Sequence, residues 1–257
     1  MTDNIQKNHN SQKKALNLLN SGINEYFKKD FVSAANFIEE ANRIFIDIND
    51  PVNAAVCNAE LAIVQYEISD LNLANSYLLL KKAAKMLEGI PHPPEIKAKI
   101  THYYGKLNYY EKRFAEALIL YTNTLKQTDE NSLEHAKILD SLAIFFLRLN
   151  NRQLVLKNLD KSLNIKKKIN NKAELAYTEL LIGRYLLNIE NYEQASIHLD
   201  TALNLNEEIG FGSLNARILD ELAKIYIYTE DFSTAEKLCL KSIQQAKDTK
   251  NKTKRNA

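Results

Sequence analysis

Glycine and proline are scarce in this chain and tryptophan is missing: its 257 residues include six glycines and four prolines. A fold of many short strands needs turn residues at close intervals, so sandwiches and barrels are disfavoured from the outset. Only two cysteines occur, Cys57 and Cys239, far apart and each inside a helical pattern. That spacing argues against a disulfide framework and suits free thiols in a reducing cytosol. No stretch approaches the roughly 18 apolar residues that a membrane span requires. Met1 to Lys14 is polar and lacks the apolar core of a secretory leader. A net charge of +2 is too small to demand nucleic acid or an anionic membrane as a partner.

Chemistry is sparse as well. The histidines His9, His92, His102, His135 and His198 are scattered, and none has a Cys, Asp or Glu at metal-ligand spacing on its own helix. No glycine-rich phosphate loop and no nucleophile elbow occurs. The expectation is therefore no catalytic residue, no metal and no cofactor. What is present is helix-forming material: Leu, Ile, Ala, Asn, Lys and Glu dominate, and hydrophobic residues make up 45% of the chain, spread evenly. An all-α, cytoplasmic protein without membrane contact follows.

One pattern recurs six times. A small residue (Gly22, Ala62, Gly105, Ala143, Gly183, Ala223) is followed twelve positions later by Ala34, Ala74, Ala117, Val155, Ala195 or Ala235. Four positions further stands a larger residue: Ile38, Leu78, Tyr121, Leu159, Leu199 or Cys239. Between the small positions lie turns: Asp30-Phe31, Asp70-Leu71, Arg113-Phe114, Asn151-Arg152, Asn191-Tyr192 and Asp231-Phe232. Antiparallel helices approach to roughly 8–10 Å only where small side chains meet, so each pair reads as a hairpin crossing. Asp or Asn at the turn can cap the second helix, and the residue after it can plug the hairpin's end. Each hairpin still leaves an apolar face that only a neighbour can cover.

The alternation resembles the tetratricopeptide repeat (TPR) family over about residues 15–246. The resemblance implies a right-handed superhelical solenoid of six antiparallel helical hairpins. Successive second positions lie 38–43 residues apart, against about 34 in the usual repeat, so this looks like a long, about 40-residue, variety. Two copies depart from the pattern: Val155 and Arg152 in the fourth, and Lys81 in the second, where a small residue is expected. Residues 1–14 read as a disordered segment and 247–257 as a basic, disordered tail. "GIPHPP" at 89–94 reads as a long joint within one solenoid, and Gly210 as a helix C-terminal glycine. In the last hairpin Leu238, Leu240 and Ile243 are expected to lie open, which leaves room for self-association.

In that family the first helix of each hairpin lines a ligand groove. Counting the Gly/Ala as position 8, the groove positions are 2, 5, 9, 12 and 13. They supply Tyr26 and Phe27 from the first repeat and Tyr66 from the second. Lys99, His102, Lys106, Tyr109 and Tyr110 come from the third, and Lys137 and Arg148 from the fourth. Tyr177 and Arg184 follow from the fifth, and Arg217, Lys224 and Tyr228 from the sixth. The N-terminal part is apolar and aromatic, and the remainder is cationic apart from Asp140 and Asp220. Tyr and Arg are common interface anchors, so the expectation is a protein or peptide partner with apolar anchors and acidic groups. Intramolecular pairing, such as Asp140 with Arg184, is the competing reading of the charges. Position 5 (Leu19, Ala59, His102, Asp140, Leu180, Asp220) lacks the lysine of a chaperone carboxylate clamp. The function implied is an interaction scaffold or adaptor. A peptide-sensing module working with a separate effector is the alternative. RNA binding is disfavoured, because the groove residues form no regular code.

Overall fold

The computed structural model describes the backbone of residues 2–210 and 212–255, and the side chains of 8–69, 71–210 and 214–247. The described elements are α1 (Thr2–Phe27), α2 (Phe31–Asp47), α3 (Pro51–Ile68), α4 (Leu73–Met86), α5 (Pro94–Tyr110), α6 (Phe114–Leu125), α7 (Leu133–Arg148), α8 (Arg152–Ile169), α9 (Lys172–Asn188), α10 (Tyr192–Ile209), α11 (Gly212–Tyr228) and α12 (Phe232–Arg255), with one 3₁₀ turn at Asp70–Asn72. Consecutive helices form six antiparallel hairpins, and no strand occurs among the described residues. The contacts divide the chain into two units, Met1–Tyr26 with Asp30–Thr128, and Phe27–Lys29 with Asp129–Ala257. The Pro-rich joint lies inside the first unit.

The small-residue crossing is where the sequence places it. A Cβ added to Gly105 would sit 2.6 Å from the Tyr121 ring, and one added to Gly183 would sit 2.6 Å from Leu199. Gly22 is closed off in the same way by Ile38. Ala34, Ala117, Val155, Ala195 and Ala235 are buried, as are Ile38, Tyr121, Leu159 and Leu199. The capping residues also act as read. Asp30, Asn151, Asn191 and Asp231 accept from the backbone N–H three residues on. Arg113 takes the N-cap place without a side-chain bond.

The second hairpin corrects the sequence reading. Its 3₁₀ turn inserts two residues, so α4 starts at Leu73 behind N-cap Asn72. The crossing pair becomes Ser76 and Leu80, both fully buried, while Ala74 is exposed and Leu78 is 63% exposed. Lys81 is no departure, because Ala83 holds the small position and is buried. Leu73, not Leu71, packs against the core.

Two further small positions recur, and the sequence reading used only the second of them, at Lys81. Seven residues before each Gly/Ala stands alanine in all six copies: Ala15, Ala55, Ala98, Ala136, Ala176 and Ala216. Seven residues after the second small position stand Ala41, Ala83, Thr124, Ser162, Ala202 and Ser242, all buried. Ser162 Oγ donates to the Ala136 carbonyl at 3.0 Å and Ser242 Oγ to that of Ala216 at 3.1 Å. The hairpins therefore approach closely along two turns. The alanine on the first helix of each hairpin is legible from the same recurrence.

The ends differ from expectation as well. Residues 1–14 were read as disordered, yet α1 begins at Thr2, Gln12 donates to Asp50 at 3.2 Å and Ala15 is fully buried. At the other end α12 runs to Arg255, and the side chains of the basic tail beyond Lys247 lie outside the described residues. Gly210 ends α10 at φ +73°, a left-handed cap.

Candidate functional site

Helical geometry decides which of the groove positions are open. At about 100° per residue, positions 12 and 5 lie about 40° and 60° from the Gly/Ala seam, whereas positions 2, 9 and 13 lie about 100–140° away. Position 12 stays partly open because it sits at the end of the helix. Position 5 is accordingly closed: Leu19, Ala59, His102, Asp140 and Leu180 are all buried, and only Asp220 is exposed. His102 is thereby removed from the groove. At 2% exposure its ring meets Tyr121 edge-on, with centroids 5.7 Å apart. Position 6, about 160° from the seam, was left out of the sequence reading and holds Glu60 and Glu221.

In the first unit the open face is aromatic. Tyr26, Tyr66 and Tyr109 occupy one register position in α1, α3 and α5, each half-buried. Tyr66 lies flat on Tyr110 of the next hairpin, with centroids 4.5 Å apart and planes 3° from parallel. Tyr109 meets Tyr110 and Phe114 edge-on, and Tyr26 packs against Phe31. Tyr26, Tyr66 and Tyr110 all rest on the α3–α5 core. Lys106 Nζ lies 5.6 Å from the Tyr103 ring centre, within cation–π range. Lys99 is held by Glu60 at 2.6 Å, and Tyr103 donates to the same carboxylate at 2.8 Å. Phe27, which ends α1, is half-buried and groups with the second unit.

In the second unit the cations are largely answered from within. Arg184 Nε lies 3.0 Å from Glu221, which also takes Lys224 at 2.8 Å. Lys137 pairs with Glu174 at 2.8 Å. Asp140 does not reach Arg184. It binds Lys166 at 2.5 Å and accepts from Thr178 at 3.1 Å. Lys166 is fully buried and also contacts Glu174 at 3.0 Å. Burial opposes its charge, but Asp140 and Glu174 outweigh that and hold its pKa above the ordinary lysine value. Burial likewise opposes the Glu174 carboxylate, and Lys137 with Lys166 override it and bring its pKa down to about 2. Tyr177 is half-buried with its ring 5.9 Å from Lys166 Nζ. Arg217 is half-buried and Arg148 exposed. Tyr228, 61% exposed, stacks on Tyr192 at 5.6 Å.

Among the described residues no group of three or more His, Cys, Asp or Glu is placed to hold a metal ion, and no helix is long and apolar enough to cross a membrane. Cys57 is buried, and desolvation, with Glu60 and Asp50 adding, pushes its thiol up to about 12, so it is inert as a nucleophile.

No family model matches the chain, and no curated protein matches it in sequence. Solved structures do match in shape. BtubC (BKLC) from P. vanneervenii superposes with a TM-score of 0.64 at 18% identity, over 87% of this chain and 92% of that one. The Rap conjugation gene regulator of plasmid pLS20, solved in complex with the Phr* peptide, gives 0.67 at 16% identity, over 94% and 64%. The tetratricopeptide-sensor STAND protein of Pyrococcus horikoshii gives 0.57 at 20%, over 91% and 36%. The chain has the TPR-like fold. A TPR-like hairpin array at these identities fixes architecture and leaves the groove chemistry to this chain's own residues. It spans 64% of the Rap regulator and about a third of the STAND protein.

Proposed function

We propose that this protein is a non-catalytic interaction module whose first unit holds a partner segment against the tyrosine face of α1, α3 and α5. One observation carries the reading: Tyr66 and Tyr110 stack in parallel across two hairpins, forming a pre-set aromatic platform. Aromatic rings offer contact area at little conformational cost, which suits binding more than stability. The partner's anchors are apolar or aromatic. Its acidic groups, where present, meet Lys106 of the same unit, so charge tunes the choice of partner more than it drives affinity. Two structures of the same fold support peptide capture, the Rap regulator with Phr* and a Rap protein with competence and sporulation factor. By that analogy the chain acts as an adaptor or as a peptide sensor serving a separate effector, in the cytoplasm.

The test is comparative capture from native lysate with the intact chain, with Tyr66→Ser/Tyr110→Ser, and with Lys106→Glu. The tyrosine variant should lose the specific partner, and the charge variant should weaken it only several-fold. Capture that survives the tyrosine change, with folding intact by circular dichroism, would remove the site from the first unit.

Self-association is a second reading, favoured by the last hairpin, where Phe232 (65%), Leu240 (59%) and Ile243 (50%) stand exposed. Leu240→Glu/Ile243→Glu should then shift a concentration-dependent oligomer to monomer in sedimentation. A wild-type chain that is monomeric at high concentration would dismiss it.

A further inference from the structure

The outer side of α4 carries a surface that the tyrosine face does not explain. Leu78, Lys81, Lys82 and Lys85 follow the spacing i, i+3, i+4, i+7, which places them on one stripe of the helix. All four are exposed, and Leu71 just before the helix is 89% exposed. No carboxylate lies between Asp70 and Glu88 in sequence. Among the described residues none of the three lysines has an ion-pair partner, whereas Lys14 and Lys99 of the same unit are held by Glu40 and Glu60. The register sharpens the contrast: the places of Lys81 and Lys82 are taken in α2 by Glu39 and Glu40, relative to Ala34 and Ser76. Ile119 of α6, 57% exposed, repeats the register place of Leu78 in the next hairpin.

An exposed apolar row beside unpaired charges of one sign is the pattern of a docking surface. We infer that the outer face of α4 docks an acidic amphipathic helix of a protein partner, leucine side against Leu71, Leu78 and Ile119, carboxylates against Lys81, Lys82 and Lys85. The stripe spans about two helical turns, the length over which a short helix sets its anchors. An anionic membrane is the weaker occupant, because three lysines supply only about 1 kcal/mol each near such a surface.

The experiment uses the full chain and a fluorescent synthetic helix with a leucine row flanked by glutamates. Controls are the same peptide with glutamine for glutamate, and phosphatidylserine-containing vesicles. The glutamate peptide should bind with an affinity that falls steeply with salt. Lys81→Glu/Lys82→Glu/Lys85→Glu should weaken it roughly tenfold or more, and Leu78→Ser several-fold. Tyr66→Ser/Tyr110→Ser should leave it unchanged, which separates this surface from the groove. The inference is overturned if the glutamine peptide binds equally well, if the triple change has no effect while the circular dichroism spectrum is unaltered, or if only the vesicles are retained through these lysines.

Discussion

The two units are built from the same hairpin and differ at the seams between hairpins. Eleven residues after the second small position, the first unit buries Phe45, Leu87 and, at its last residue, Thr128, and the second buries Lys166 and Asn206. At position 12 the first unit carries Tyr26, Tyr66 and Tyr109, and the second carries Leu147, Leu187 and Ile227. One seam is oily under an aromatic face. The other is polar under an aliphatic face, with Lys166 on Asp140 and Glu174, and the Asn206 amide donating to Asn215. The contrast teaches that close packing within a hairpin tolerates little variety, while the seam accepts apolar and hydrogen-bonded polar side chains alike.

The largest expected effect breaks the comparison directly. Lys166→Ala leaves two buried carboxylates without their shared cation and should cost about 3–5 kcal/mol in urea unfolding. Phe45→Ala should cost a similar ~3–5 kcal/mol through cavity formation. Combining Lys166→Met with Asp140→Asn and Glu174→Gln should recover much of the first loss, and no polar rescue exists for the second. A cost under about 1 kcal/mol for Lys166→Ala would mean the network is wetter than its burial implies.

Acid should separate the units next. The folded state holds the Glu174 carboxyl at about 2 against an ordinary 4.5, so the folded protein binds fewer protons there than the unfolded one. Its stabilisation is complete above pH about 4.5 and is lost as pH falls toward 2, up to about 3 kcal/mol. Hydrogen exchange at low pH should open α7–α9 before α2–α4. Simultaneous opening would remove Glu174 as the cause.

Smaller effects sharpen the shared part. Gly105→Ala and Gly183→Ala should each cost ~1–3 kcal/mol, by a similar amount in both units, because the added methyl meets Tyr121 or Leu199. Smallest and opposite in sign is Glu190→Gly. Glu190 sits at φ +63°, as Lys112 and Glu230 do in their own turns, a region that side chains resist. Glycine there should raise stability by roughly 0.5–1 kcal/mol in thermal melts.

Much of this was legible in the sequence, and the failures have identifiable causes. The crossing glycines, the Asp and Asn caps and the six hairpins follow from local spacing. The 3₁₀ insertion at Asp70–Asn72 was hidden because Ala74 and Leu78 imitate the true pair two residues early. Of the residues read as groove, Tyr66 and Lys106 are partly exposed, whereas His102 is buried because position 5 is closed. The pairing of Lys99 with Glu60 and of Arg184 with Glu221 was missed because position 6 was not read.

The sequence by itself determined the hairpin, since a helix period and a recurring small residue are properties of a single stretch of chain. Only tertiary structure decided how most of these charges are paired, because the partners of Lys99, Lys137 and Arg184 lie on another hairpin, about 40 residues away for Lys99 and Glu60. That distance carries no local signal, and the energy of each pair depends on the burial that packing alone creates.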